Sequence, residues 1–183
     1  MSTYPIYLRP ELAPIIAETP EQTTWDLPAM RAGGDALLAN PHEADSRVEV
    51  SARGRTFIPA DLAEDAPLII SIHGGGYVAG RAAFDDAKND ELATRFGAIV
   101  VSPEYRLAPE FPFPIPVDDC ISALAEALER FGHERPTFIL GDSAGAGLAY
   151  SMVSRLCGLG LQMAQDEAIA ARYKRIASVI RGI

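Results

Sequence analysis

FILGDSAGAGLAY, residues 138–150, begins as an apolar run and continues as a small-residue helical pattern, with Ser143 at the junction between Gly141 and Gly145. The five residues 141–145 fit G-x-S-x-G, a spacing that lets a buried strand reverse sharply into a helix. The flanking glycines are needed because the turn leaves no room for side chains beside it. A serine at this point stands at a helix N-terminus, where the N–H of Ala144 is free and the helix dipole favours a developing negative charge. The same five residues also suit a capping serine in a glycine-rich turn, or a phosphate loop. The phosphate loop is disfavoured because no G-K-[ST] follows.

Working outward, "PLIISI" (67–72), "AIVVSP" (98–103) and "TFIL" (137–140) are continuous apolar runs, as expected of central strands covered on both faces. "RVEVS" (47–51) and "RTFIPA" (55–60) alternate apolar and polar residues like half-buried strands, and a polar link follows at 61–65. Between the apolar runs lie helical periods: Phe84, Leu92 and Phe96, then Val117, Ile121, Leu124, Leu128 and Phe131. Alternation of strand and helix at this spacing predicts an α/β fold with a mostly parallel, doubly wound sheet of about five strands. In such sheets function gathers at the C-terminal ends of the strands. Residues 1–45, Pro-punctuated and with short amphipathic pieces in "PELAPIIAE" (10–18) and "LPAMRAGGDALLAN" (27–40), read as a helical cap segment. Residues 46–183 read as the sheet-bearing core.

The composition, 48% apolar and 22% charged, is that of one packed domain, and the formal charge of −9 lacks the basic footprint that nucleic acid or an anionic membrane surface requires. Small neutral or cationic partners remain. The N-terminus has no basic start followed by an apolar core, and residues 136–154 contain Asp142 and several glycines, so neither a signal peptide nor a membrane span is expected. A cytoplasmic location follows. Cys120 and Cys157 fit no metal spacing and fall within apolar patterns, so both are expected as buried, reduced thiols.

A second glycine cluster, "HGGGYVAG" (73–80), directly follows the strand ending at Ile72. Three consecutive glycines let backbone N–H groups approach a substrate oxygen without obstruction by Cβ atoms. Together, "HGGGYVAG", "SPEYRLAPEFPFP" (102–114) and "GDSAGAG" (141–147) resemble the hormone-sensitive-lipase branch of the α/β-hydrolase esterases over residues 46–157. The resemblance implies a carboxylic-ester hydrolase acting on short acyl esters, with Ser143 as nucleophile, Gly75, Gly76 and Ala144 as oxyanion donors, and no metal or organic cofactor. It also implies that Arg106, Glu110, Asp118 and Asp119 are scaffold, the two aspartates opening a helix whose dipole they suit. "FPFPIP" (111–116) is expected as a rigid extended link into that helix.

The family order is serine, acid, histidine along the chain, and after Ser143 this sequence offers only Asp166 and Glu167 as acids and no histidine. The resemblance therefore implies a chain that stops after the nucleophile helix, with impaired activity. Of the histidines, His73 belongs to the glycine loop, His133 precedes the strand and so lies at the opposite end of the sheet, and His42, where cap meets core, could approach the site. Ile169, Tyr173, Ile176 and Ile180 describe a terminal amphipathic helix, which leaves "TFIL" as an uncovered apolar edge open to a partner chain or a second copy. Two further readings stay open: a hydrolase-like pocket kept for binding alone, and one part of an assembly completed by another polypeptide.

Overall fold

The computed structural model describes residues 25–39, 41–158 and 167–183, together with Glu11 and Pro14. The piece 10–18 thus lies almost wholly outside the described residues. The piece 27–40 forms α1 (Leu27–Ala36), followed by a 3-10 turn at Leu37–Ala39. The core then runs β1 (Arg47–Ser51), β2 (Gly54–Ile58), β3 (Leu68–Ile72), α2 (Asp86–Phe96), β4 (Ile99–Pro103), α3 (Ile115–Phe131), β5 (Thr137–Gly141), α4 (Ala144–Leu156), α5 (Glu167–Ala177) and β6 (Ile180–Gly182).

These strands form one six-stranded sheet in the order β1-β2-β4-β3-β5-β6. β1 and β2 pair antiparallel as a hairpin, β2 pairs antiparallel with β4, and β4, β3, β5 and β6 are parallel. The continuous apolar runs became the central strands: every residue of β3 and of β4 is buried. On one face, Leu68, Ile70, Ile72, Ile99 and Ile139 pack against Val117, Leu124 and Leu128 of α3 and Leu148 and Met152 of α4. The period read over 117–128 is therefore the buried stripe of α3, and Phe131 sits half-buried at its end. On the other face a smaller cluster joins Phe57, Ile69 and Val100 to Ala93 of α2. No helix among the described residues is long and apolar enough to cross a membrane.

Four expectations need correction. The sheet has six strands, because the terminal helix ends at Ala177 and Ile180 enters β6, which pairs parallel with Thr137 and Phe138. The β5 edge is thus covered at its first two residues, while Phe138 and Leu140 each remain 37% exposed. The Phe84–Leu92–Phe96 stripe is not the buried face of α2: Phe84 and Phe96 are exposed, and Asp86, Asn89, Asp90 and Ala93 are buried instead. Cys120 is buried as expected, but Cys157 is exposed just past the end of α4. Finally, 111–116 is not an extended link: turns closed by Phe111 N–H to Leu107 O (2.9 Å) and Ile115 N–H to Pro112 O (3.1 Å) fold it back into α3.

Candidate active site

Two of the parallel strands, neighbours in the sheet, deliver the glycine-rich segments side by side. β3 leads into 73–76 and β5 into 141–145, and the two strands run in register up to Ile72 opposite Gly141. Ser143 sits at the tip of the second with φ 53° and ψ −115°, a left-handed conformation that a non-glycine residue adopts at a cost. Its neighbours show why the flanking glycines are required. A Cβ on Gly141 would lie 2.3 Å from the carbonyl of Gly145, and one on Gly145 would lie 2.1 Å from Ile72 O and 2.7 Å from His73 O. Gly145 thus lets α4 descend directly onto the end of β3. Neither contacting atom is a mobile side chain, so Gly145→Ala is expected to destabilise the fold by about 1–3 kcal/mol. The measurement is a denaturant melt, in which an unchanged midpoint would deny this close approach.

The first turn of α4 is tight, with Gly145 N–H to Asp142 O at 2.8 Å and Ala146 N–H to Ser143 O at 3.0 Å. This leaves the N–H of Ala144, the first helical residue, without an intrahelical acceptor. Facing the elbow, Gly74 approaches so closely that a Cβ there would meet Asp142 O at 3.0 Å and the Ser143 Cβ at 3.4 Å. Gly75 has φ 123°, and its carbonyl accepts from Val78 N–H (3.1 Å) and Ala79 N–H (2.9 Å). That closed turn fixes the loop. Ser143, Gly75 and Gly76 are exposed, whereas Ala144 is buried beneath them.

His73 anchors this loop from below. It is buried, its Nδ1 lies 2.7 Å from Gly74 O, and its ring stacks on Tyr105 at a centroid separation of 4.2 Å. The Tyr105 hydroxyl in turn donates to His73 O at 3.0 Å. Burial pulls the imidazole pKa below its ordinary value, against the pull of the Gly74 carbonyl, Glu104 and Asp85, so His73 is neutral and donates from Nδ1. His42 does not approach the elbow: its Nε2 sits 2.9 Å from Asp90 Oδ2, tying the linker to α2. His133 lies before β5, in a depression lined by Glu129, Arg172 and Arg175, at the far end of the sheet.

Two connections escaped the sequence. Lys88 on α2 bonds Asp142, the residue immediately before Ser143, and Asp85 at 3.1 Å. Burial alone would lower the Lys88 pKa, but these two carboxylates outweigh it and raise it, so the amine stays protonated and is no base. Arg31 ties α1 to the loops beside the elbow, its guanidinium donating to Val78 O (2.8 Å), Ala108 O (3.0 Å) and both Glu110 oxygens (2.8 and 2.9 Å). Glu110 therefore anchors α1. Arg106 holds Asp119 through two bonds of 2.8 and 2.7 Å, and Asp118 pairs with Arg155 of α4, which makes all four charges structural. Between α1 and the loop lies a cleft of about 610 Å³ bounded by Met30, Phe84, Leu107 and Phe111, with Gly74 and Gly75 forming its wall towards the elbow.

Comparison with known proteins agrees with this geometry. Residues 69–171 match the family described as alpha/beta hydrolase fold. The chain is 34% identical over 119 residues to the versiconal hemiacetal acetate esterase stcI of Emericella nidulans, covering 65% of this chain and 41% of that protein. It is 30% identical over 119 residues to the hormone-sensitive lipase of Homo sapiens, covering 63% of this chain and 11% of the lipase. Among solved structures, a bacterial heroin esterase superposes with a TM-score of 0.67 at 36% identity, over 84% of this chain and 54% of the esterase. The chain spans less than half the length of these curated relatives and about half of the solved esterase. With the parallel sheet, the serine elbow after β5 and the glycine loop after β3, these matches establish that the chain belongs to the α/β-hydrolase fold family.

Proposed function

We propose that these residues carry the nucleophile and the oxyanion cradle of a serine carboxylic-ester hydrolase for short acyl esters. Ser143 is the nucleophile, and the N–H groups of Gly75, Gly76 and Ala144 receive the carbonyl oxygen. The observation that carries this reading is the placement of Ser143: exposed at φ 53° on the elbow, against the Gly74 loop. In the reaction the Oγ lone pair attacks the ester carbon and the carbonyl π electrons move to oxygen, where the three amides hold the charge. The Oγ proton passes to a base and from it to the departing alkoxide, leaving Ser143 acylated.

His73 and His42 are engaged elsewhere, and His133 sits at the wrong end of the sheet. On this reading none of the three histidines serves as the base, and the 183 residues alone are impaired catalysts. The half-covered β5 edge, with Phe138 and Leu140 exposed, is where further strands or a partner would add. The cleft beside Gly75 has room for a small ester.

Imidazole in solution can stand in for the missing base. With p-nitrophenyl acetate and added imidazole, the native chain is expected to accumulate one acetyl group on Ser143 and to release p-nitrophenol several-fold faster than Ser143→Ala. Peptide mass mapping and the rate difference check this. Equal rates with no acetylated Ser143 peptide would overturn the nucleophile assignment.

A further inference from the structure

Beneath α2 the sheet carries a row of polar side chains where a core is expected. Arg55 on β2 lies directly opposite Ser102 on β4, and Ser71 on β3 pairs with Leu140 on β5. Ile70 pairs with Val101, so Ser71 and Ser102 are neighbours one step further along. Two residues back on the same face, Ile69 and Val100 pack under Ala93. The helix descends as the strands rise. Moving from Ala93 to Asn89 climbs roughly 6 Å at 1.5 Å per residue, and from Ile69 to Ser71 roughly 6.6 Å at 3.3 Å per residue. Asn89 therefore stands over Ser71 and Ser102, and Asp86, one turn beyond, reaches Arg55 Nη2 at 2.6 Å.

Ser71, Asn89 and Ser102 are all 0% exposed. Yet Ser71 Oγ, Ser102 Oγ, both amide atoms of Asn89, Asp86 Oδ1 and Arg55 Nε have no hydrogen-bond partner in the protein. Buried polar atoms are almost always paired, and six gathered on the two facing sides of one layer require a shared partner. The chemistry of the set identifies it. Arg55 and the Asn89 amide hydrogens repel a cation, Asp86 repels an anion, and the two hydroxyls can give or accept. Waters, each of which both donates and accepts and makes two to four bonds in such sites, suit the whole set, and six atoms need at least two of them.

We propose that Ser71, Ser102 and Asn89, flanked by Asp86 and Arg55, form an internal hydration site whose bound waters fasten α2 to the end of β3 from which the glycine loop springs. The site stands independently of the role given to Ser143. It also explains why α2 buries Asp86 and Asn89 while Phe96 stays exposed.

The test combines thermal melts with water-to-protein nuclear Overhauser measurements on the native chain and on Ser71→Ala, Ser102→Ala and Asn89→Leu. Each serine variant is expected to lower the Tm by about 2–4 °C, with a double-variant loss that differs from the sum because both hydroxyls hold the same water cluster. The Asn89 side-chain amide is expected to show cross-peaks to long-lived water. Serine variants that melt at the native temperature or above it, or an Asn89 amide without water cross-peaks, would show dry, unpaired groups and overturn the site. Should Asn89→Leu fail to fold, the two serine variants and the native spectrum still decide.

Discussion

Replacing Asp90 with alanine is expected to destabilise the fold by about 3–5 kcal/mol, lowering the Tm by roughly 8–15 °C. Asp90 is 5% exposed, and its carboxylate gathers the segment that joins cap to sheet. Oδ1 accepts from Ser46 N–H (2.9 Å) and the Ser46 hydroxyl (2.5 Å), while Oδ2 accepts from Asp45 N–H (3.0 Å) and faces His42 Nε2 at 2.9 Å. Removing it strands these donors, two of them backbone amides with no alternative acceptor at the start of β1. Thermal melts followed by circular dichroism check the size of the effect, and a shift under about 3 °C would deny Asp90 its anchoring role.

Asp90 also makes the fold acid-sensitive. Burial raises its pKa, but the Ser46 hydroxyl, His42 and the amides of Asp45 and Ser46 outweigh burial and hold it well below the ordinary carboxylate value. As pH falls, the unfolded chain binds this proton first, with a pKa of about 3.9. The stabilisation is therefore complete above about pH 5 and drains away as pH drops below about 4. Asp90→Asn removes this titration, so its stability is expected to vary less with pH between about 5 and 3, starting from a lower plateau.

Asp90 marks the limit of what the sequence discloses. The runs 67–72, 98–103 and 137–140 identify the central strands because a strand buried on both faces needs apolar residues at every position. The elbow and the glycine loop are equally legible, since their backbone geometry excludes side chains and so dictates glycine at fixed spacings. For α2, periodicity misleads: three of its four buried residues are polar, and the partners of Asp90 and Asp86, Ser46 and Arg55, come from a linker and a distant strand. Hydrophobic spacing cannot register a partner elsewhere in the chain. The end of α5 fails for a related reason. Ile180 continues the helical spacing of Tyr173 and Ile176, yet the β5 edge offers it parallel pairing at Thr137, and tertiary pairing overrides local period. Likewise the Lys88–Asp142 and Arg31–Glu110 pairs bridge 54 and 79 positions, separations that no local pattern encodes.

In the isolated chain, Gly75→Ala is expected to cut the residual hydrolysis of p-nitrophenyl acetate about 10²–10³-fold, whereas Ser143→Ala changes it less than about 2-fold. The asymmetry follows from the proposed reading, in which no base stands beside Ser143. A serine hydroxyl with no base beside it is a weak nucleophile, so on the proposed reading what these residues contribute is charge stabilisation by fixed amides, on the order of 10³–10⁴ over water in enzymes stripped of their triad. Gly75 is the residue whose replacement re-aims those amides: at φ 123°, a Cβ would lie 1.9 Å from Ala79 O and 2.5 Å from the Ala79 carbonyl carbon. The turn must open to admit it. Gly76 supplies the control. Its φ of 62° lies in the left-handed region that alanine reaches for about 1–2 kcal/mol, and the nearest atom to its Cβ would be Val78 Cγ2 at 3.8 Å. Gly76→Ala keeps both the loop path and the N–H, and should lose far less activity than Gly75→Ala. Equal losses at 75 and 76 would mean that loop geometry is not what holds the oxyanion. A burst of p-nitrophenol abolished by Ser143→Ala would instead mean that a base within these 183 residues reaches the elbow, and the claim of impaired catalysis would fall.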